Sequence, residues 1–414
     1  MTREIEANFE FHPVGQGCFY TGTIKNGGRI KNKFHFVYDC GTKSKMFFLD
    51  KEIKKYKNQL ENNSIDLLII SHFDEDHVNG VIDLLKNTHC KRLVIPYYHP
   101  LQRLLLFALS SSLDDEYILM LIDPIAYFAD ENRFKIDEIV VIAGNENSDP
   151  PQSTELLPLS PYDNEQRRNF PERLELESME GKNDYDLETR ILQHENRSTG
   201  YRNTFFQEVP GKMIISGKVW EFVFYLRDFI ETQTIRAFKI EIDQLLNGNS
   251  LKMLFNKEFR DKVREIYKLK FKDINITSLC MFHGHLFHHK IAEYIMTGHY
   301  LHEYCEFEKH LGTLLTGDIN LSSTEWLNHF TKYYQSFLPR VRIFQVPHHG
   351  SRKSWNFKNF NGINTFSTYV INHGVGRSSH PSADVILNIE NNCQNGRIFL
   401  NNEVNEMRYT ELYL

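Results

Sequence analysis

Five short apolar runs in this chain end alike, in an Asp or a His at a turn. They are "FHFVYDCG" (34–41), "IDLLIISH" (65–72), "HLGTLLTGD" (310–318), "VRIFQVPHH" (341–349) and "STYVINHG" (367–374). Their length and their β-branched and aromatic content predict buried strands. Asp39, His72, Asp318, the pair His348–His349 and His373 stand at or just past their ends. Sheets layered with helices gather ligands at strand ends, because the interior of a sheet cannot solvate charge. Between the second and third runs the pattern changes. "LQRLLLFALSSSLDDEYILMLI" (101–122) has the spacing of an amphipathic helix, and strand character returns at "VWEFVFYLRDF" (219–229). Helical patterning then covers roughly 235–268, while 145–178 is polar, carries five prolines and reads as an exposed loop. No internal repeat is present. The pattern is α/β, with one core split by a long, mainly helical insertion.

Composition narrows this picture. The chain has 414 residues, ample for a large core. Its net charge of −6 argues against a nucleic-acid coat protein. Basic clusters at 267–272 ("KLKFKD") and 348–355 ("HHGSRKSW") are local, and the first reads as a solvated face. The 31 Phe and 20 Tyr predict an aromatic core. Cys18, Cys40, Cys90, Cys280, Cys305 and Cys393 are scattered without CxxC pairs, which excludes a disulfide framework and a thiolate zinc knuckle. No apolar stretch reaches membrane-span length, and the start lacks a signal-peptide core. The expectation is a cytoplasmic protein with reduced thiols and no membrane partner.

The densest chemistry is "SHFDEDHVNG" (71–80), where His72, Asp74, Asp76 and His77 spell H-x-D-x-D-H after an apolar strand. Carboxylates packed this closely repel one another and are costly to bury unpaired, so positive charge must join them. Oxygen and imidazole donors without thiolate suit Zn or Mn. Two such ions about 3.5–4 Å apart polarise a substrate oxygen and supply hydroxide near neutral pH.

These motifs resemble the metallo-β-lactamase fold superfamily, and within it the branch typified by the ComEC-type hydrolase domain of bacterial competence channel proteins, which also has Asp at the second ligand position. "VGQGCFY" (14–20) resembles the family's opening turn, with Cys18 where Asp is usual, and "VYDCGT" (37–42) its D-x-G turn. "NITSLCMFHG" (275–284), "LLTGDIN" (314–320), "VPHHGS" (346–351) and "SSHPSADVI" (378–386) follow in the family's order. The third-motif His is absent, and His283, His285, His288 and His289 lie close enough in sequence to replace it or to serve as loop residues. The likeness covers about 8–90 and 273–400.

The resemblance implies an αββα sandwich: residues 1–94 as its N-terminal half, 95–270 as the insertion and 271–414 as its C-terminal half. It implies two divalent ions, Zn or Mn. His72 and Asp74 would hold the first, Asp76, His77 and His348 the second, and Asp318 would bridge them. His349 would face substrate, with the reverse assignment of the His pair also open. His380 would be a general acid or oxyanion stabiliser, Asp39 would orient a ligand His, and Asn275 and Ser278 would support the site from behind. Ser351, Arg352, Lys353 and Arg377 would contact an anionic substrate at the rim.

The resulting expectation is a phosphodiesterase, most readily a nuclease, with metal-bound hydroxide as nucleophile and nucleic acid or another phosphodiester as substrate. A freestanding hydrolase with a large insertion fits a bacterial antiviral or toxin-type system, with a protein partner on 95–270. Two alternatives stand beside it: hydrolysis of another ester, thioester or lactam, and a silent fold that only binds.

Overall fold

The computed structural model describes residues 5–26, 33–109, 114–144, 150–152, 174–176, 184–195, 197–209, 211–227, 233–249, 251–270, 277–286, 291–296, 312–358, 363, 365–377, 379–393 and 396–413. Two sheets form its centre. In the first, nine strands follow in the order Ile291–Met296, Met407–Tyr413, Ile5–Phe11, Gly17–Asn26, Lys33–Thr42, Leu67–Ile69, His89–Pro96, Lys135–Ala143 and Thr204–Glu208, and Ser64–Ile65 pairs off this path. Pairing is antiparallel up to Lys33–Thr42 and parallel beyond it. The second sheet runs Arg397–Asn401, Thr368–Asn372, Val341–Gln345, Gly312–Leu315, Cys280–His285, Trp220–Tyr225 and Gly211–Ile214. Its first four strands are parallel. All five runs anticipated as strands therefore lie in one sheet or the other, and each ends where a parallel strand gives way to a loop.

Period-two alternation sorts their side chains into two cores. Phe34, Phe36 and Tyr38 point between the sheets with Leu67 and Ile69, where they meet Phe222, Val223 and Phe224. The alternate residues Val37, Leu68 and Ile70 face the helical layer with Leu49 and Ile53 of helix Met46–Lys57. Helices Thr324–Tyr333 and Ala383–Asn392 bury Leu327, Phe330, Val385 and Ile389 in an apolar cluster continuous with the inter-sheet core. The layers are those of an αββα sandwich.

Residues 95–270 do more than insert helices. They supply Lys135–Ala143 and Thr204–Glu208 to the first sheet, and Gly211–Ile214 and Trp220–Tyr225 to the second. The expected single helix at 101–122 is two, Pro100–Leu109 and Asp115–Ile122, and the pattern at 235–268 folds as Gln233–Leu246 and Lys257–Lys270. Among the described residues, no helix is long and apolar enough to cross a membrane.

One core group carries a measurable cost. Glu411 is 1% exposed; its Oε2 accepts from the Tyr413 hydroxyl at 2.6 Å, and its Oε1 has no hydrogen-bond partner among the described residues. Burial pushes its carboxyl up to about 8. The folded chain therefore keeps this proton while the unfolded chain, titrating near about 4.3, has released it. Stability must fall as pH rises through that window, by up to about 1.4 kcal/mol per unit. Glu411→Gln, which keeps an acceptor for Tyr413, should gain on the wild type steadily between pH 5 and pH 8 in urea denaturation. A difference that does not change with pH would refute this assignment.

Candidate metal centre

The site begins with an irregularity in strand pairing. Along Lys33–Thr42, Cys40 pairs with Phe19 and Tyr38 with Tyr20, so Asp39 has no partner between them. Such a bulge re-aims the extra side chain, and Asp39 takes the left-handed conformation (φ 58°) to make it. Its carboxylate reaches the next strand end: Oδ1 accepts from the Ser71 amide at 2.7 Å and Oδ2 from the Ser71 hydroxyl at 2.6 Å. Two residues later Gly41 lies against the short helix Glu75–Val78. A Cβ there would sit 2.5 Å from the Asp76 carbonyl carbon and 2.6 Å from the His77 nitrogen. The absence of a side chain at 41 lets the H-x-D-x-D-H segment seat on the strand. The Leu279 amide donates to the Ser71 carbonyl at 2.7 Å, tying the segment to the start of Cys280–His285 in the second sheet.

Four imidazoles then converge. His77 Nδ1 donates to Asp39 Oδ2 at 2.8 Å, and His349 Nδ1 donates to the Asn372 carbonyl at 3.0 Å. His72 Nδ1 lies 2.8 Å from the Ser71 hydroxyl, which already donates to Asp39 and so accepts here. His348 Nδ1 pairs with the Ser354 hydroxyl at 3.0 Å. With each Nδ1 engaged, the Nε2 atoms are left to face inward. They surround Asp318: Oδ1 is 3.3 Å from His77 Nε2 and 3.8 Å from His349 Nε2, and Oδ2 is 3.8 Å from His72 Nε2 and 3.7 Å from His348 Nε2. Asp74 Oδ2 adds to the His72 side at 3.8 Å, and Asp76 Oδ2 to the His349 side at 3.1 Å. His72 Nε2 and His77 Nε2 are buried without an aligned hydrogen-bond partner. Orphaned imidazole nitrogens turned toward carboxylates are what a divalent cation would satisfy, and the donor set of imidazole and carboxylate suits Zn or Mn. The residues present fit such ions.

The electrostatics agree. Burial works against the charge on Asp318, but His348, His349 and His77 outweigh it and hold the carboxyl well below its usual range. Asp76 is likewise held low against burial, by Lys43, His349 and His77. Burial and the neighbouring His77 push His72 down to about 3, leaving its ring neutral. For His77, Asp318 and Asp39 overcome burial and raise the pKa well above the ordinary value. The field that favours a proton on His77 Nε2 is the field that attracts a cation there.

The late His pair is reversed from the sequence expectation. His348 directly follows the strand, which suggested it as the partner of Asp76 and His77. Both residues adopt left-handed backbone, φ 50° and 55°, and this turn sends the buried His349 to Asp76 while His348 reaches the Asp318 oxygen that faces His72. His283 and His285 do not join the centre: they sit on the strand Cys280–His285 inside the aromatic core, His283 bonded to the Tyr20 hydroxyl at 2.8 Å. His288, His289 and Asn275 lie outside the described residues. The Ser278 hydroxyl lies 3.3 Å from His72 Nδ1 and accepts from the Asp318 amide at 2.9 Å. The His380 ring stacks 5.7 Å from that of His348.

At the rim, Arg352 turns away to Asp384 at 2.7 Å, and Ser351 is buried under the His348 turn, where its amide donates to the His348 carbonyl at 2.9 Å. Lys353 is exposed on the short helical turn Arg352–Ser354. Arg377 donates to the Lys43 carbonyl at 2.7 Å. Lys43 itself, 2.6 Å from Asp76 Oδ1, escaped the sequence reading. The available signal was its place four residues after Asp39 in "DCGTK".

Residues 28–159 match the family model of the metallo-beta-lactamase superfamily. That match spans 132 of the 414 residues. The match is to the superfamily, and the ComEC-type branch rests on the H-x-D-x-D-H wording. Two solved structures are similar over nearly the whole chain. Human tRNase Z, short form, aligns at 9% identity over 95% of this chain and 92% of its own, with a TM-score of 0.35. The metallo-β-lactamase fold protein YhfI from Bacillus subtilis aligns at 8% identity over 98% and 99%, with a TM-score of 0.37. No curated protein matches.

Removing the group that orients a metal-ligating imidazole costs about 10–100-fold in metal affinity. Asp39→Asn should weaken Zn or Mn binding by that factor in calorimetric titration, with the far-ultraviolet circular dichroism unchanged. Undiminished affinity would show that Asp39 serves the strand bulge alone.

Proposed function

We propose that this protein is a metal-dependent hydrolase of phosphodiesters, a nuclease-type enzyme. The observation that carries the reading is the single carboxylate of Asp318, which shows one oxygen to His77 and His349 and the other to His72 and His348. On this reading His77, His349, Asp76 and Asp318 would hold one divalent ion, and His72, Asp74, His348 and Asp318 would hold a second. Ions so placed would polarise a phosphoryl oxygen and supply the attacking nucleophile from water.

The chain's own residues do the rest. Asp39, Ser71, Ser354 and the Asn372 carbonyl fix the imidazole tautomers, so no proton has to leave Nε2 during turnover. Asp74, where many relatives of this fold class have His, adds a hard oxygen donor and shifts preference toward oxygen-loving ions. His380 is kept neutral: burial, then His348 and His349, push it down to about 4. Its place beside His348 suits a hydrogen bond to the leaving or non-bridging oxygen, as an acid or as an oxyanion stabiliser.

A panel of single- and double-stranded DNA, RNA and bis-p-nitrophenyl phosphate, assayed with Mn, Zn and Mg, tests the activity. Asp76→Ala should reduce metal-dependent cleavage to background while the protein stays folded. Cleavage by Asp76→Ala at the wild-type rate would sink the mechanism. Purified protein that binds neither Zn nor Mn by elemental analysis would instead identify a binding module.

A further inference from the structure

The cation that touches this centre comes from an unexpected loop. Lys43 follows the strand Lys33–Thr42 and puts its ammonium 2.6 Å from Asp76 Oδ1, while the other Asp76 oxygen is 3.1 Å from His349 Nε2. The two partners differ in exposure: the Asp76 side chain is 1% accessible and that of Lys43 is 42%. The carboxylate is sealed in the protein, and the ammonium lies at its mouth. An ammonium has three donors, of which Asp76 takes one, so the group keeps the capacity to donate to a further acceptor. The position is held from both sides of the residue. The Lys43 amide donates to the Gln16 carbonyl at 2.5 Å, and its carbonyl accepts from Arg377 at 2.7 Å. Ser44 is fixed next to it, its hydroxyl bonded to Glu403 at 2.5 Å. Such a fixed point charge suits an anion that must approach Asp76. Arg352, the nearest alternative in sequence to the His pair, is already paired with Asp384.

We propose that Lys43 binds the substrate phosphate, donating to a non-bridging oxygen while Asp76 holds the ammonium in place. This rests on the phosphodiesterase reading and assigns the anion-recognition group of that same site. Arg377 acts through Lys43 as a positioning residue, since its guanidinium donates to the Lys43 backbone carbonyl.

Two measurements test this on the metal-loaded full chain. In calorimetry with inorganic phosphate, Lys43→Ala should raise the Kd at least tenfold, and Lys43→Arg should recover part of the loss. In kinetics with bis-p-nitrophenyl phosphate, Lys43→Ala should lower kcat/KM by about 100-fold, while hydrolysis of the uncharged p-nitrophenyl acetate changes less than threefold. Arg377→Ala should give a smaller loss, mainly in KM. Unchanged phosphate affinity in Lys43→Ala overturns the proposal, and so does an equal loss on both reporters or a loss of bound metal, either of which makes Lys43 a support for Asp76. If the wild type binds phosphate through Lys43 yet cleaves no phosphodiester, the anion site stands and the proposed reaction falls.

Discussion

The architecture turns on one carboxylate. Asp318 is buried, yet His348, His349 and His77 outweigh the burial and hold its carboxyl well below the usual range. Each of the centre's four imidazoles can serve only if its Nδ1 is committed elsewhere, because a ring that is free to choose its tautomer presents an N–H as readily as a lone pair. The commitments come from four different places: a bulged strand, the residue before His72, a helical turn after the His pair, and a strand-end carbonyl. The two sheets must therefore meet in one register for the centre to exist. The Leu279 amide to Ser71 carbonyl bond and the Ser278 hydroxyl, shared by His72 and the Asp318 amide, join them at that point.

This convergence is obtained with strained backbone. Asp39, His348 and His349 all have positive φ without being glycine, at a cost of order 1–3 kcal/mol each. The regular strands on either side are what make the strain tolerable. Phe36 and Tyr38 before the bulge, and Ile343 and Phe344 before the His turn, are fully buried in one inter-sheet cluster. A rigid core on one side of each irregular residue leaves the chain no cheaper way to turn.

What could be read in the sequence follows from the same division. Strands such as 34–41 and 341–349 were legible because apolar runs of that length have few alternatives, and their polar ends were legible because charge there has no other reason to stand beside a core. The geometry beyond those ends was not. Nothing in "VPHHGS" announces two left-handed residues, so proximity to the strand pointed to His348 for the place that His349 takes. Lys43 lies in a stretch, "TKSK", whose composition is that of any solvated turn, and only the fold brings it to Asp76. Likewise the strands at 135–143 and 204–208 were hidden among helical patterns, because they extend a sheet begun far earlier in the chain.

The two halves of the centre differ in a way that bears on how it would work. The side chains of His77, His349 and Asp76 are 1%, 4% and 1% accessible, whereas those of His348 and Asp74 are 32% and 31%. On the proposed reading one half would be closed by protein, while the other, although His72 is itself 2% accessible, would open to solvent at Asp74 and His348, where water or substrate could enter. His380 stacks over His348 on the open half, and Lys43 grips Asp76 at the lip of the closed one. A phosphodiester entering between them would meet a neutral donor on one side and a fixed cation on the other. That asymmetry favours an extended anionic substrate lying across the centre over a compact neutral one sitting within it.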